Sequence, residues 1–147
     1  MEIAILGLGC FWSPEIKFSK LEGIIKTEVG YCGGHNAETN YNEVCTGTTN
    51  HAEVVKLDFD PKIITFEQIL EYFFEFHDPT TLNSQGPDFG TQYRSEIFYL
   101  NDQQKSIAQK MIEKENVKLS GKVVTKTSLV KNYCPAEEYH QRYLEKR

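Results

Sequence analysis

Long apolar runs are missing from this 147-residue chain. No segment approaches the roughly 18 consecutive apolar residues that a membrane-spanning helix needs, so a soluble protein with no membrane partner is expected. The apolar start, Met1 to Gly9, has neither a basic leader nor a small-residue cleavage site and reads as a buried strand, not a signal peptide. Runs of Lys or Arg are missing too. Sixteen basic residues stand against 21 acidic ones, a net charge of -5, and no basic stripe could track phosphates, which argues against a nucleic-acid partner. Cysteine is scarce and irregularly spaced, at 10, 32, 45 and 134, which excludes a disulfide-stapled secreted scaffold and suits a reducing cytoplasm. No Cys-x-x-Cys or His-x-x-x-His pair gives metal-ligand spacing, so a zinc set drawn from these cysteines with His35 and His51 is set aside and no metal is expected. Repeats, low-complexity tracts and linkers are likewise missing. A hydrophobic content of 39% with 12% aromatics is enough for one core, and a single domain over residues 1–147 is expected.

What is present alternates between the periods of strands and helices. Glu2 to Leu8 is a short apolar run that Gly7 and Gly9 punctuate, the pattern of a strand ending in a turn. Ser13-Pro14-Glu15 predicts a helix start, with Ser13 as cap, and the helix runs to about Leu21 with Ile16 and Phe18 inward. Ile25, Thr27, Val29 and Tyr31 alternate with polar residues as a second strand closed by Gly33-Gly34, and Val55, Leu57 and Phe59 mark a third that Pro61 ends. Thr65 with Gln68 forms a capping box ahead of a helix through about Phe76. Ser95 to Leu100 supplies a fourth strand, Asn101 or Asp102 caps a helix through about Glu115 with Ile107, Ala108, Met111 and Ile112 inward, and Lys122 to Val130 is the last strand. Glu137 to Lys146 is read as a terminal helix. Residues 35–50 and 78–91 are long polar loops of the kind that carry function. The order predicts an α+β fold: a two-layer α/β sandwich with a ferredoxin-like split βαβ core and a mostly antiparallel sheet.

Gly9-Cys10-Phe11-Trp12 sits where the first strand gives way to a helix. Free backbone N–H groups and the helix dipole favour an anion there, a thiolate is such an anion, and a lowered Cys10 pKa is expected. Phe11 and Trp12 would then line an apolar pocket beside the sulfur. Local chemistry supports equally well a buried, inert cysteine among ordinary core aromatics. Taken alone, Glu53 reads as a solvent-facing residue opening a strand, Tyr41 and Tyr93 as loop anchors, and Asp88 with Arg94 as an ion pair.

Several segments taken together break the tie. Gly9-Cys10-Phe11-Trp12, Gly30-Tyr31-Cys32-Gly33-Gly34, Tyr41-Asn42-Glu43-Val44-Cys45, His51-Ala52-Glu53 and Gly90-Thr91-Gln92-Tyr93-Arg94-Ser95, in that order, resemble the A-type peptide methionine sulfoxide reductases. His77-Asp78-Pro79, Gly86-Pro87-Asp88 and Glu138-Tyr139-His140-Gln141 extend the likeness from about Leu6 to Leu144. The resemblance implies reduction of the S epimer of methionine sulfoxide, with the protein-bound form as the expected substrate and the free amino acid as a further candidate. By position it implies Cys10 as nucleophile, Phe11 and Trp12 as walls receiving the substrate methyl, Glu53 as proton donor, and Tyr41, Asp88 and Tyr93 as polar groups around the sulfoxide oxygen. The chemistry wants such groups: a thiolate attacking sulfoxide sulfur drives charge onto an oxygen that must be protonated, and a desolvated Glu53 holds its proton near neutral pH. Phenols can donate to the developing oxyanion. No metal or organic cofactor is required.

Attack leaves a sulfenic acid on Cys10 that a second thiol must resolve. Many relatives carry that thiol in a glycine-rich tail; none follows Leu144 here, and Cys134 stands nearest the missing position, with Cys32 and Cys45 as further candidates. The leading expectation is regeneration by an external thiol, either thioredoxin or glutathione with glutaredoxin. Some relatives without a resolving cysteine have selenocysteine at the nucleophile position, which makes position 10 a candidate selenocysteine site. Ser13 stands where the family usually has glycine, which could shift the helix start by a residue. His51, His77 and His140 open a rival reading, a Cys–His hydrolase, and a non-catalytic binding module is a third. All three histidines are expected to hold loops by hydrogen bonds, and His35 to be exposed.

Overall fold

The computed structural model describes residues 1–146. Its eight strands are β1 (Glu2–Leu8), β2 (Ile24–Cys32), β3 (Ala52–Phe59), β4 (Ser84–Gln85), β5 (Asp88–Phe89), β6 (Ser95–Tyr99), β7 (Lys126–Leu129) and β8 (Cys134–Pro135). The helices are α1 (Trp12–Ser19), α2 (Tyr41–Cys45), α3 (Phe66–Phe76), α4 (Asp102–Lys118) and α5 (Tyr143–Lys146). Six strands form one mixed sheet in the order β7-β6-β1-β3-β2-β8, in which β6 and β7 pair parallel and every other pair is antiparallel. The fold is thus α+β. Because β3 lies antiparallel between β1 and β2, those two strands are parallel and α1 joins them across an inserted neighbour.

Strand period explains where the core lies. Ala4, Leu6 and Leu8 of β1, Val55, Leu57 and Phe59 of β3, and Ile97 of β6 point to one face, where they pack with Phe18 of α1, Ile69, Leu70 and Phe73 of α3, and Ala108 and Met111 of α4. The opposite face carries a smaller cluster of Ile5, Cys32, Ala52, Val54 and Phe98. The Thr65–Gln68 capping box is formed in both directions, and Asn101 caps α4 by accepting from the Gln104 N–H.

Several boundaries depart from the sequence reading. Helix α1 starts at Trp12, with Phe11 as a cap lacking any side-chain bond, and Ser13 lies exposed in the first turn instead of capping it. In β2 a register irregularity between Ile24 and Lys26 breaks the predicted alternation, which leaves Ile25 exposed and turns Ile24 to the core. The polar loops hold short elements that no periodicity could announce: α2, whose cap is Asn40 accepting from Glu43 N–H, the β4–β5 hairpin, and a 3₁₀ turn at Thr91–Tyr93. The terminal helix is replaced by a 3₁₀ turn at Glu138–His140 and the single turn of α5. Tertiary bonds outcompete a continuous helix here: Gln141 Nε2 donates to Val29 O and its Oε1 accepts from Val29 N–H, each at 2.9 Å, and Arg142 N–H donates to Glu15 Oε1 at 2.7 Å. Among the described residues no helix is long and apolar enough to cross a membrane.

Candidate active site

Gly9 carries the chain from β1 to α1 with a φ of 96°. An L residue adopts that conformation at a cost, and a Cβ there would lie 2.8 Å from Gln85 Cγ, so the turn lets the β4–β5 hairpin close against the loop. Gln85 is itself held by Asp78 N–H, which donates to its Oε1 at 3.0 Å. The hairpin brings Asp88 within electrostatic reach of Cys10 and Glu53.

Glu53 is placed by simple alternation. It shares the face of Val55, Leu57 and Phe59, so the strand that begins at Ala52 aims the carboxyl into the helix-side layer at the mouth of α1. The residue is 1% exposed, its Oε1 accepts from Phe11 N–H at 3.2 Å, and its Oε2 has no hydrogen-bond partner. Burial pushes its pKa up to about 8, the Phe11 N–H working the other way and the Asp88 charge adding to the rise. Such a carboxyl holds a proton at neutral pH and has one oxygen free to use it.

Cys10 is partly exposed, but its electrostatics correct the expectation of a lowered pKa. Burial pushes the thiol up to about 11, outweighing the Trp12 N–H that lowers it, and the charges of Glu53 and Asp88 add to the rise. The helix mouth supplies a donor; desolvation wins.

Phe11 is 1% exposed and belongs to the main core, with its ring 5.7 Å from that of Tyr31 and 5.2 Å from that of His140. Trp12 is half-buried, lies parallel to Tyr143 at 3.8 Å with an 11° interplanar angle, and donates from Nε1 to His140 Nδ1 at 3.0 Å. Tyr41 opens α2, its N–H donating to Glu137 Oε2 at 2.9 Å while Tyr31 Oη donates to Glu137 Oε1 at 2.8 Å. Although burial raises Glu137, these donors hold its carboxyl below its ordinary value. Tyr93 closes the 3₁₀ turn, where its phenol feels the charges of Glu53, Cys45, Asp88 and Cys10. Desolvation raises the pKa of both Tyr41 and Tyr93, so both phenols keep the proton they would donate.

Arg94 does not pair with Asp88. Its Nε meets Glu96 Oε1 at 2.6 Å, and its Nη1 and Nη2 donate to Thr91 O at 2.9 Å and Asn50 O at 3.0 Å, pinning the turn that carries Tyr93 to the segment leading into β3. The histidines divide. His77 bonds Phe73 O at 2.6 Å and Ser95 Oγ at 2.7 Å, which ties the end of α3 to β6. His51 is buried against Gly34, where a Cβ would fall 2.0 Å from its Nδ1, and His35 is exposed. His140 bonds a site residue and not a loop. Of the remaining thiols, Cys32 lies buried in the cluster on the other sheet face, Cys134 Sγ approaches Thr39 O at 3.7 Å, and Cys45 is exposed beside the Tyr41 phenol. All four cysteines are free. Among the described residues no group of three or more His, Cys, Asp or Glu is arranged to hold a metal ion.

The structure therefore gathers Cys10, Glu53, Tyr41, Tyr93 and Asp88 within one electrostatic neighbourhood, beside Phe11 and Trp12. Sequence reasoning missed Glu137, which has no periodic or motif signal and is found only through its two donors. It also missed Tyr143 as the stacking partner of Trp12.

Comparison with known proteins agrees in kind. The family model described as peptide methionine sulfoxide reductase matches residues 2–147. A peptide methionine sulfoxide reductase MsrA of Pelagibacter ubique (strain HTCC1062) is 80% identical over 147 residues, 100% of both chains. The crystal structure of Mxr1 from Saccharomyces cerevisiae in reduced form superposes with a TM-score of 0.94 at 41% identity, covering 99% of this chain and 85% of that one. The same yeast protein in complex with Trx2 gives a TM-score of 0.68 at 28% identity, with 97% and 84% covered.

Proposed function

Since the chain belongs to the peptide methionine sulfoxide reductase family and is an enzyme of the A type, we propose that it reduces the S epimer of methionine sulfoxide, in proteins and as the free amino acid, through a sulfenic acid on Cys10. In this reading the whole chain works as one reductase domain on a ferredoxin-like two-layer sandwich. The observation that carries it is the buried Glu53 carboxyl, protonated at neutral pH with Oε2 unpartnered, at the mouth of the helix that follows Cys10.

The sulfoxide methyl enters beside the Trp12 indole, with Phe11 closing the inner wall. Cys10 first gives its thiol proton to solvent, and the thiolate so formed is a minor fraction at neutral pH. That thiolate attacks the sulfoxide sulfur while Glu53 delivers its proton to the oxygen, and Tyr41 and Tyr93 donate to that oxygen as charge builds on it. The methionine sulfur–oxygen bond breaks, a Cys10 sulfur–oxygen bond forms, and methionine leaves two electrons richer than it arrived. Asp88, at the hairpin, keeps the local charge negative and so favours a protonated Glu53. An external thiol, thioredoxin or glutathione with glutaredoxin, then converts the sulfenic acid to a mixed disulfide and water, and a second thiol frees Cys10.

The yeast relative's complex with Trx2 supports a thioredoxin-type donor. Cys32 is a poor internal resolver, because it faces the other side of the sheet from Glu53. Four free thiols fit a reducing, cytoplasmic setting, and position 10 remains the place where selenocysteine would serve the same chemistry. A dithiothreitol-driven assay on separated dabsyl-methionine sulfoxide epimers tests the proposal. The S form should be consumed and the R form left; consumption of R alone, or of neither, would refute it.

A further inference from the structure

His140 stands apart from the other histidines because its ring is set among the aromatics of the site. It is 2% exposed, and its centroid lies 4.7 Å from Tyr41, 5.2 Å from Phe11, 5.7 Å from Trp12 and 4.2 Å from Tyr139. The Trp12 Nε1–H points to His140 Nδ1 at 3.0 Å. An indole nitrogen only donates, so Nδ1 must present its lone pair and the imidazole must be the neutral Nε2–H tautomer. We propose that His140 is a positioning residue whose Nδ1 lone pair fixes the in-plane rotation of the Trp12 indole, and with it the width of the slot that receives the sulfoxide methyl. The inference rests on the reading of Trp12 as a wall of that slot.

Two restraints of different kinds meet on the indole. The parallel Tyr143 ring sets the plane but leaves the indole free to slide and turn within it. The hydrogen bond removes that freedom. His140 is in turn rigidly placed: its N–H donates to Glu137 O at 2.9 Å, and the next residue, Gln141, grips both backbone groups of Val29 in β2. The chain of contacts thus runs from the sheet through His140 to Trp12. Facing the ring are Glu137 and Tyr139 from its own turn, with Glu138 exposed beside them, Tyr41 from α2, and Phe11 and Trp12, which do not titrate. Burial lowers the pKa of His140 and the Glu137 charge opposes the fall, so the ring is a neutral acceptor at pH 7 and loses that role in acid.

Trp12 is the sole tryptophan of the chain, so its fluorescence reports on this contact in the resting protein. His140→Leu keeps the bulk and removes the acceptor, whereas His140→Asn places Oδ1 near the position of Nδ1 and cannot be protonated. His140→Leu should shift the Trp12 emission and raise KM for the sulfoxide about tenfold with kcat changed less than about threefold, the split expected when binding geometry and not chemistry is lost. The parent's Trp12 emission should show an acid transition, and His140→Asn should abolish it while returning KM to within about threefold of the parent. An active His140→Leu with unchanged KM, a loss confined to kcat, or an Asn variant no better than Leu would overturn the positioning role alone. If His140→Leu fails to fold, the Asn variant and the parent's fluorescence titration decide, and a parent emission without an acid transition counts against the proposal. A parent protein inert toward sulfoxide would instead overturn the reading of the site beneath it.

Discussion

Glu53→Gln separates proton donation from pocket shape. The Glu53 carboxyl is pushed up to about 8, so at pH 7 about nine-tenths of the molecules carry its proton and at pH 9 about one-tenth. Gln keeps an Oε1 to accept from Phe11 N–H but has no acidic proton, so sulfoxide reduction should fall by roughly 10²- to 10⁴-fold, the usual worth of a general acid. Iodoacetamide alkylation of Cys10 needs only the thiolate. It should be unchanged or faster, because the Glu53 charge contributes to the raised Cys10 pKa. Stability gives a second readout. Between the ordinary carboxyl value of 4.5 and about 8 the folded protein keeps a proton that the unfolded chain has released, so folding stability falls as pH rises through that window. The full shift corresponds to a loss of order 3–5 kcal/mol for a group this buried. The orphaned amide of Gln costs about 1–3 kcal/mol at every pH, so the comparison to make is between pH values. Relative to the parent, the Gln variant should gain roughly 6–15 °C in Tm between pH 5 and pH 8.5, at about 2–4 °C per kcal/mol for a chain of this size. Equal falls in reduction and alkylation, or a Tm difference that does not change with pH, would refute the assignment of a buried proton donor.

Other consequences follow from individual contacts. Cys10→Ser should abolish turnover, whereas Cys32→Ser, Cys45→Ser and Cys134→Ser should each release about one methionine per enzyme without added reductant; equal loss in all four would point to a structural role. Because burial pushes Cys10 up to about 11, its alkylation should climb about tenfold per pH unit from 7 to 10, and a plateau below pH 8 would contradict the dominance of desolvation. Gly9→Ala places a methyl 2.8 Å from Gln85 Cγ at a φ of 96°, and should cost about 1–3 kcal/mol in a denaturant melt and lower turnover by displacing the hairpin that holds Asp88. Thr65→Ala removes one side of a capping box remote from the site, so it should lose about 1 kcal/mol in the same melt and leave turnover unchanged.

Elements written in a repeating period were legible, and those written in single contacts were not. Strand β1 and helix α3 follow from apolar spacing and from the Thr65–Gln68 pair, and their observed limits agree with that spacing. The terminal segment also has helical composition, yet Gln141 and Arg142 spend their bonds on Val29 and Glu15, and such long-range partners leave no local trace. Strand β8 rests on pairing with Gly30 and Tyr31, again invisible from its own two residues. At the site, residue types were legible where a motif held them together, as in Gly9-Cys10-Phe11-Trp12. The burial of Glu53 depended on β3 starting at Ala52, three residues before the alternation at Val55 becomes obvious. The sign of the Cys10 shift was misread because a helix mouth is a local feature, whereas desolvation is the sum of everything packed around it.

In the proposed reaction, oxygen leaves the substrate for one sulfur, that of Cys10. Intact-mass and peptide mass spectrometry after one equivalent of S-epimer peptide, with dimedone present and no reductant, tests it directly. One methionine and one dimedone adduct, on Cys10, should form, with no disulfide involving that residue. An unmodified Cys10, an adduct at Cys32, Cys45 or Cys134 in its place, or a Cys10 disulfide would contradict that reaction.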